Sequence, residues 1–198
     1  RSRWTINKIH HAPTPLESAM HRHLAALLFA PLGLGACATA PAPPPEAVGG
    51  VFVLEKDLVG HTVGRGRFST ITGVDRGFTA YLEGTWDGTT LTLVEDFAFD
   101  DGEKDRKTWR LTRTPTGDFQ GTREDVVGLA RGFTDGGVFR LEYAMRVPGE
   151  DGKPGPKLRF RDVLAKLPDG RVINNATVGW WGLKVGQVSL EIARAVDD

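Results

Sequence analysis

The sequence predicts an all-β fold, an up-and-down antiparallel β-barrel of about nine or ten strands, with a β-sandwich as the structural alternative. Three observations carry this. From Val51 to Ala195 apolar and polar residues alternate at period two, the repeat of a strand with one buried face. Turn signals interrupt the alternation at short intervals, among them Asp87-Gly88, Asp101-Gly102 and Asp169-Gly170, pairs that tolerate the positive φ of a tight hairpin. The composition is also turn-rich, with 25 glycines and 12 prolines in 198 residues, which suits short connections better than a helical bundle. Many short strands in series can lose their exposed edges by closing on themselves.

Taken in order, the first element is a short helical turn near Leu54 to Val59. Phe68 to Val74 reads as a strand. The preceding Gly64-Arg65-Gly66-Arg67 has the look of a phosphate-binding loop, but no helix pattern follows it. Phe78, Ala80, Leu82 and Trp86 share one face of the next strand, and Leu91, Leu93, Phe97 and Phe99 one face of its successor. Lys104 to Thr114 sets Trp109 and Leu111 against Arg106, Thr108, Arg110 and Thr112. Phe119 to Arg123 and Leu129 to Phe133 flank a looser section. Phe139, Leu141, Tyr143, Met145 and Val147 form the cleanest apolar row, and a Gly/Pro loop leads on to Leu158, Phe160, Asp162 and Leu164. The last two strands are Val172 to Trp181 and Leu183 to Ala193.

The N-terminal quarter follows a different logic. Met20-His21-Arg22-His23 precedes an apolar run from Leu24 to Leu34 that ends in Leu34-Gly35-Ala36-Cys37. That is the layout of a secretory signal peptide, and the run is too short for the roughly 20 residues of a membrane-spanning helix. The closing quartet resembles a bacterial lipobox, so residues 20–36 read as a lipoprotein signal peptide and Cys37 as the lipid-modified first residue of the mature chain. Residues 1–19 read as an upstream extension outside the fold, 37–50 as the lipidated cysteine with a Pro/Ala tether, and 51–198 as the barrel domain. The tether favours extended polyproline II and spaces the domain from a bilayer. More than one acyl chain would give stable anchoring, on the periplasmic face of the envelope. Ala38 after the cysteine favours the outer membrane, by resemblance to lipoprotein sorting in enteric bacteria.

Charge and chemistry narrow the function. The whole chain is neutral, and the part after Cys37 holds 21 basic and 24 acidic residues, a poor balance for nucleic acid. Four of the five histidines precede Cys37 and that cysteine is the only one; His61 alone offers no metal or triad partner set, so no cofactor is expected. Asp162 is the telling residue. It falls in an apolar row between Phe160 and Leu164, where an unpaired carboxylate is costly, so either an arginine such as Arg106 or Arg110 pairs with it or that face lines a polar cavity. Asp96, Asp101, Arg106, Trp109, Arg110, Asp125, Tyr143, Asp162 and Asn174 form the candidate ligand-binding or buried polar set. Aspartates such as Asp96 and Asp162 could also serve a carboxylate-dependent hydrolase, although no nucleophile constellation accompanies them.

Several motifs are familiar. Gly84-x-Trp86-Asp87-Gly88, Asp101-Gly102-Glu103 followed by Arg106-x-x-Trp109, Asp125-Val126-x-Gly128-x-Ala130, and Ile173-Asn174 ahead of Gly182 together resemble the DUF3833 family of proteobacterial proteins, many of them lipoproteins by appearance. The likeness spans the chain after the tether. Asp162-Val163 departs from the family's Asp-Trp, and the basic residue expected near Trp180 is missing. The family supplies no reaction, so function rests on the residues. They point to a lipocalin-like, membrane-anchored periplasmic lipoprotein that binds a small amphipathic or lipid-like molecule. The alternative is an envelope scaffold or assembly factor with a solid barrel and a protein partner.

Overall fold

The computed structural model describes residues 37–47, 50–148 and 154–195. The expected signal peptide and upstream extension lie outside them. The described residues form ten strands: β1 (Gly60–Thr70), β2 (Asp75–Trp86), β3 (Thr90–Phe99), β4 (Lys104–Arg113), β5 (Phe119–Thr122), β6 (Ala130–Asp135), β7 (Val138–Pro148), β8 (Pro154–Lys166), β9 (Val172–Trp180) and β10 (Leu183–Arg194). Each pairs antiparallel with its neighbour in sequence, and β10 returns to β1 over the register Thr62↔Arg194 to Thr70↔Gly186. The sheet is therefore a closed up-and-down barrel, and the sandwich alternative is excluded. Closure leaves no free edge, and the barrel buries its own apolar core, so the chain from Cys37 onward has what it needs to fold on its own.

The period-two pattern sorts side chains as the sequence predicts. Phe78, Ala80 and Leu82 are buried while Tyr81, between them, is exposed. One boundary differs: the first strand covers Gly60–Thr70, and Ile71 to Val74 is the turn rather than the strand's second half. The reason is local. The Thr70 hydroxyl accepts from the Val74 amide at 3.2 Å, the Thr70 amide donates to the Val74 carbonyl, and Gly73 takes a φ of 93°. Upstream, a Cβ on Gly66 would stand 2.5 Å from the Phe78 ring, so the glycines suggestive of a phosphate loop make room inside the barrel.

The two ends of the barrel differ. The helical turn α1 (Leu54–Asp57) closes one of them. Phe52, Leu54 and Leu58 are buried against the core, with the Phe52 and Phe139 rings 6.0 Å apart. Arg194 donates to the carbonyls of Lys56 and Val59, Lys166 pairs with Asp57 at 2.7 Å, and Arg113 pairs with Glu55. Those three cations stand at the ends of β10, β8 and β4, so the floor is fastened around its circumference. The turns β1–β2, β3–β4 and β9–β10 ring the opposite end, the mouth, over which no described helix lies.

The Pro/Ala segment departs from a free tether. Ala38 is buried, its amide donates to the Gly182 carbonyl at 2.9 Å, and Arg161 donates to its carbonyl. Ala40 and Ala47 cover Val138, Val163 and Ala165, apolar residues of which Val163 and Ala165 are wholly buried although they belong to the outward row of β8. Residues 37–47 thus strap the outer wall from the mouth towards the floor. Small side chains and prolines suit this, since the strap lies close to the sheet without needing a full ladder of its own. Cys37 sits at the mouth end, bridged to Leu183 and exposed.

Candidate functional site

Inside the barrel a cavity of about 390 Å³ runs from Leu54 and Leu58 at the floor to Phe68, Phe99 and Glu103 towards the mouth. Its lower wall is apolar. Higher up, three inward rows bring polar groups together: Glu95 continues Leu91 and Leu93 on β3, Tyr143 continues Phe139 and Leu141 on β7, and Asp162 stands between Phe160 and Leu164 on β8. Asn174 completes the wall from β9, and Arg123 and Asp125 arrive from the segment after β5. That segment is fixed by the Val127 amide donating to the Ala144 carbonyl at 2.7 Å and the Arg146 amide to the Asp125 carbonyl at 3.3 Å.

Arg123 is the hub. Its guanidinium donates to Asp125 at 2.8 Å and to Glu95 at 3.2 Å, and it lies 4.8 Å from the centre of the Trp109 ring. Arg123 and Glu95 keep only 11% and 12% of their side-chain surface. Burial works against the arginine's charge, but Tyr143, Glu95 and Asp125 around it hold its affinity for a proton above the ordinary value. For Glu95 burial prevails and its pKa is raised, with Arg123 only partly opposing.

Asp162 lies beyond the arginine's direct reach. Its Oδ2 accepts from the Tyr143 hydroxyl and from the Asn174 amide, both at 3.4 Å, long contacts that stabilise a carboxylate weakly. Burial pushes its pKa up to about 7 and that of Tyr143 well above its ordinary value. Two acceptor atoms in this corner, Asp162 Oδ1 and Asn174 Oδ1, have no partner among the described residues. Native interiors rarely leave such atoms orphaned.

Not all of the expected site converges. Trp109, Asp125, Tyr143, Asp162 and Asn174 line the cavity. Asp96 and Arg106 instead face outward and hold each other in a two-pronged pair at 2.6 Å, which lowers the Asp96 pKa. Arg110 also faces outward, 3.3 Å from the Thr92 hydroxyl, and Asp101 pairs with Arg76 in the β3–β4 turn region. Neither Arg106 nor Arg110 therefore partners Asp162; the nearest guanidinium chemistry is that of Arg123. Strand parity decides which of these side chains face the lumen. Asp96 is out of phase with Leu91, Leu93, Phe97 and Phe99, while Glu95 is in phase with them, and Arg123 likewise follows Phe119 and Gly121 at period two. His61 is exposed on β1. Among the described residues no group of three or more His, Cys, Asp or Glu side chains is placed to hold a metal ion.

A barrel with a buried Asp-Tyr-Asn corner and an Arg–carboxylate hub now has a family to stand beside. The family model described as "Protein of unknown function (DUF3833)" matches residues 32–194. The chain belongs to the DUF3833 family. No curated protein matches it in sequence. In this DUF3833 barrel the resembling motifs do two kinds of work. Asp87-Gly88 and Asp101-Gly102 make hairpins, with the Asp87 carboxylate accepting from the amides of Thr89 and Thr90 at 2.8 and 2.7 Å. Trp109, Asp125 and Asn174 build the DUF3833 cavity.

Proposed function

We propose that this DUF3833 member binds a small amphipathic molecule inside its barrel, apolar end towards the floor and polar end at the Asp162–Asn174 corner, and does so anchored to the periplasmic face of a membrane through acylated Cys37. The observation that carries the reading is a cavity with two orphaned acceptor atoms. Pockets for small ligands are typically ~300–1,000 Å³, mostly apolar, with a few convergent polar groups, and the cavity of about 390 Å³ has that make-up. A solid interior, which the scaffold alternative requires, does not fit it.

The polar corner also selects the ligand's chemistry. Asn174 Oδ1 calls for a donor, and the unpartnered oxygen of Asp162 donates when that carboxyl holds its proton and accepts when it does not, so the ligand's polar group is one that can do both, a hydroxyl. Glu95, Asp125 and Asp162 stand around the Arg123 guanidinium, and across the whole lining five acids meet three cations; that surplus of acid disfavours a phosphate or a free carboxylate. Support for the anchor comes from the signal-peptide layout ahead of Cys37 and from the cysteine's exposure.

Two experiments test this. The protein from Cys37 onward, carrying Cys37→Ser, mixed with an envelope lipid extract and repurified, should retain an amphiphile detectable by mass spectrometry, and Asp162→Leu should lose it; an extract no different from a control protein's would sink the ligand reading. Cys37→Ser in cells should move the protein from the membrane to the soluble fraction. Unchanged fractionation would remove the anchor and leave the cavity reading intact.

A further inference from the structure

The two most exposed large apolar side chains, Trp181 and Ile71, stand together at the mouth with Leu183 and Trp180, whereas Leu129, Val51 and Tyr81 are exposed singly elsewhere. Trp181 is 88% exposed and Trp180 48%, Leu183 is 55% exposed, and Ile71 is 75% exposed and fastened beside them by its amide donating to Val185 O at 2.9 Å. Trp181 and Gly182 form a two-residue hairpin loop with φ of 49° and 83°. Two positive φ angles in succession favour Asn-Gly, and an aromatic residue at the first position is a backbone liability. Its ring gains little packing in return, so the fold does not account for Trp181.

A basic groove of about 570 Å³ adjoins this hairpin. It is lined by Lys157, Arg159, Arg161, Trp180 and Trp181, with Ala38 at its side. Arg146 stands directly opposite Lys157 across β7 and β8, two like charges that repel. Among the described residues Arg146, Lys157 and Arg159 have no acid within ion-pair distance, whereas Arg161 faces Glu142 at 3.9 Å. Of the described acids at the mouth, Asp101 and Glu103 are paired with Arg76 and Asp75 with Arg67, all across the barrel from this groove. Among the described residues one side of the mouth is therefore aromatic and cationic, while on the other the charges are paired.

We infer that the β9–β10 hairpin and the basic face of β7 and β8 form a membrane-contact surface for an anionic phospholipid bilayer, with Trp180 and Trp181 at headgroup depth and the barrel's mouth opening at the lipid surface. Tryptophan belongs at that depth because its ring is apolar and its N–H is polar. Lysine and arginine near an anionic leaflet add about a fivefold gain in partition each. The geometry deepens the proposed function, since a ligand entering at the mouth comes from the bilayer. It draws on the anchor reading only for the acylation of Cys37, which stands beside Leu183 at the mouth.

The test uses the protein from Cys37 onward with Cys37→Ser, so that no acyl chain contributes, and vesicles of phosphatidylcholine with or without phosphatidylglycerol. Vesicles containing phosphatidylglycerol should shift the tryptophan emission to the blue, and brominated acyl chains should quench it. Trp180→Ser/Trp181→Asn should abolish both effects, leaving Trp86 and Trp109 as internal controls. Lys157→Gln should weaken partition about fivefold. Trp181→Asn alone should melt no lower than the parent, because Asn-Gly suits the turn. Persistent quenching in the double variant, equal behaviour on both vesicles, or a melting point that falls with Trp181→Asn would each overturn the inference. Acylated Cys37 in cells without quenching in vitro would leave the anchor and refute this surface; the reverse result would do the opposite.

Discussion

Asp162 and Arg123 show how single residues set the balance between stability and binding in this barrel. Asp162 has its folded pKa raised from 3.8 to about 7, so the folded state holds a proton that the unfolded chain has released. The stability it contributes is full below about pH 4 and is lost as the pH rises through 7, on the order of 4 kcal/mol in all. Asp162→Asn removes that titration. Urea unfolding should show the variant gaining on the parent between about pH 4 and pH 7 and levelling off above that, and a constant difference from pH 4 to pH 7 would contradict the assignment. Arg123 works the other way, because removing it strands Glu95 and Asp125. Arg123→Met should cost about 3–5 kcal/mol in denaturant unfolding. Adding Glu95→Leu to it should restore part of the loss, since the uncompensated charge goes too.

Among the elements, α1 is one of the shortest and the one on which the cavity depends, for it makes the floor. It is four residues long, too short to be stable alone, and it is held by Phe52, Leu58 and the strand-end cations around it. Gly84 on β2 leaves room for it: a Cβ there would lie 1.7 Å from the Leu58 carbonyl oxygen. Gly84→Ala should therefore destabilise the fold by about 1–3 kcal/mol through overpacking, and hydrogen exchange of the Leu58 amide should speed up more than that of Ala80. Equal protection at both would mean that the floor does not depend on this contact. The strap is legible in the same terms. Val163 and Ala165 fall in the outward row of β8, and their burial under Ala40 and Ala47 makes the Pro/Ala segment part of the wall.

At the scale of the whole molecule, closure through β1 and β10 is the deciding contact. A chain ended at Gly182 would leave β1 and β9 each with one edge unpaired, and unpaired edges recruit one another. Size-exclusion chromatography should find that truncated chain as oligomers or aggregate, and a monomer would show that the sheet does not need to close. The sequence alone determined the class and the strand order, because alternation at period two and Asp-Gly hairpins are local properties, and neighbours in a meander are neighbours in the sheet. It also determined which face each residue takes, so Glu95 and Arg123 were readable as inward by parity, while Asp96 was not. Only the tertiary structure decided that Arg123 rather than Arg106 or Arg110 supplies the interior cation, that the barrel is hollow, and that the tether docks. Those outcomes depend on how far apart the walls stand and on which side chains from distant strands meet across the lumen, and neither distance is written into any local stretch of chain.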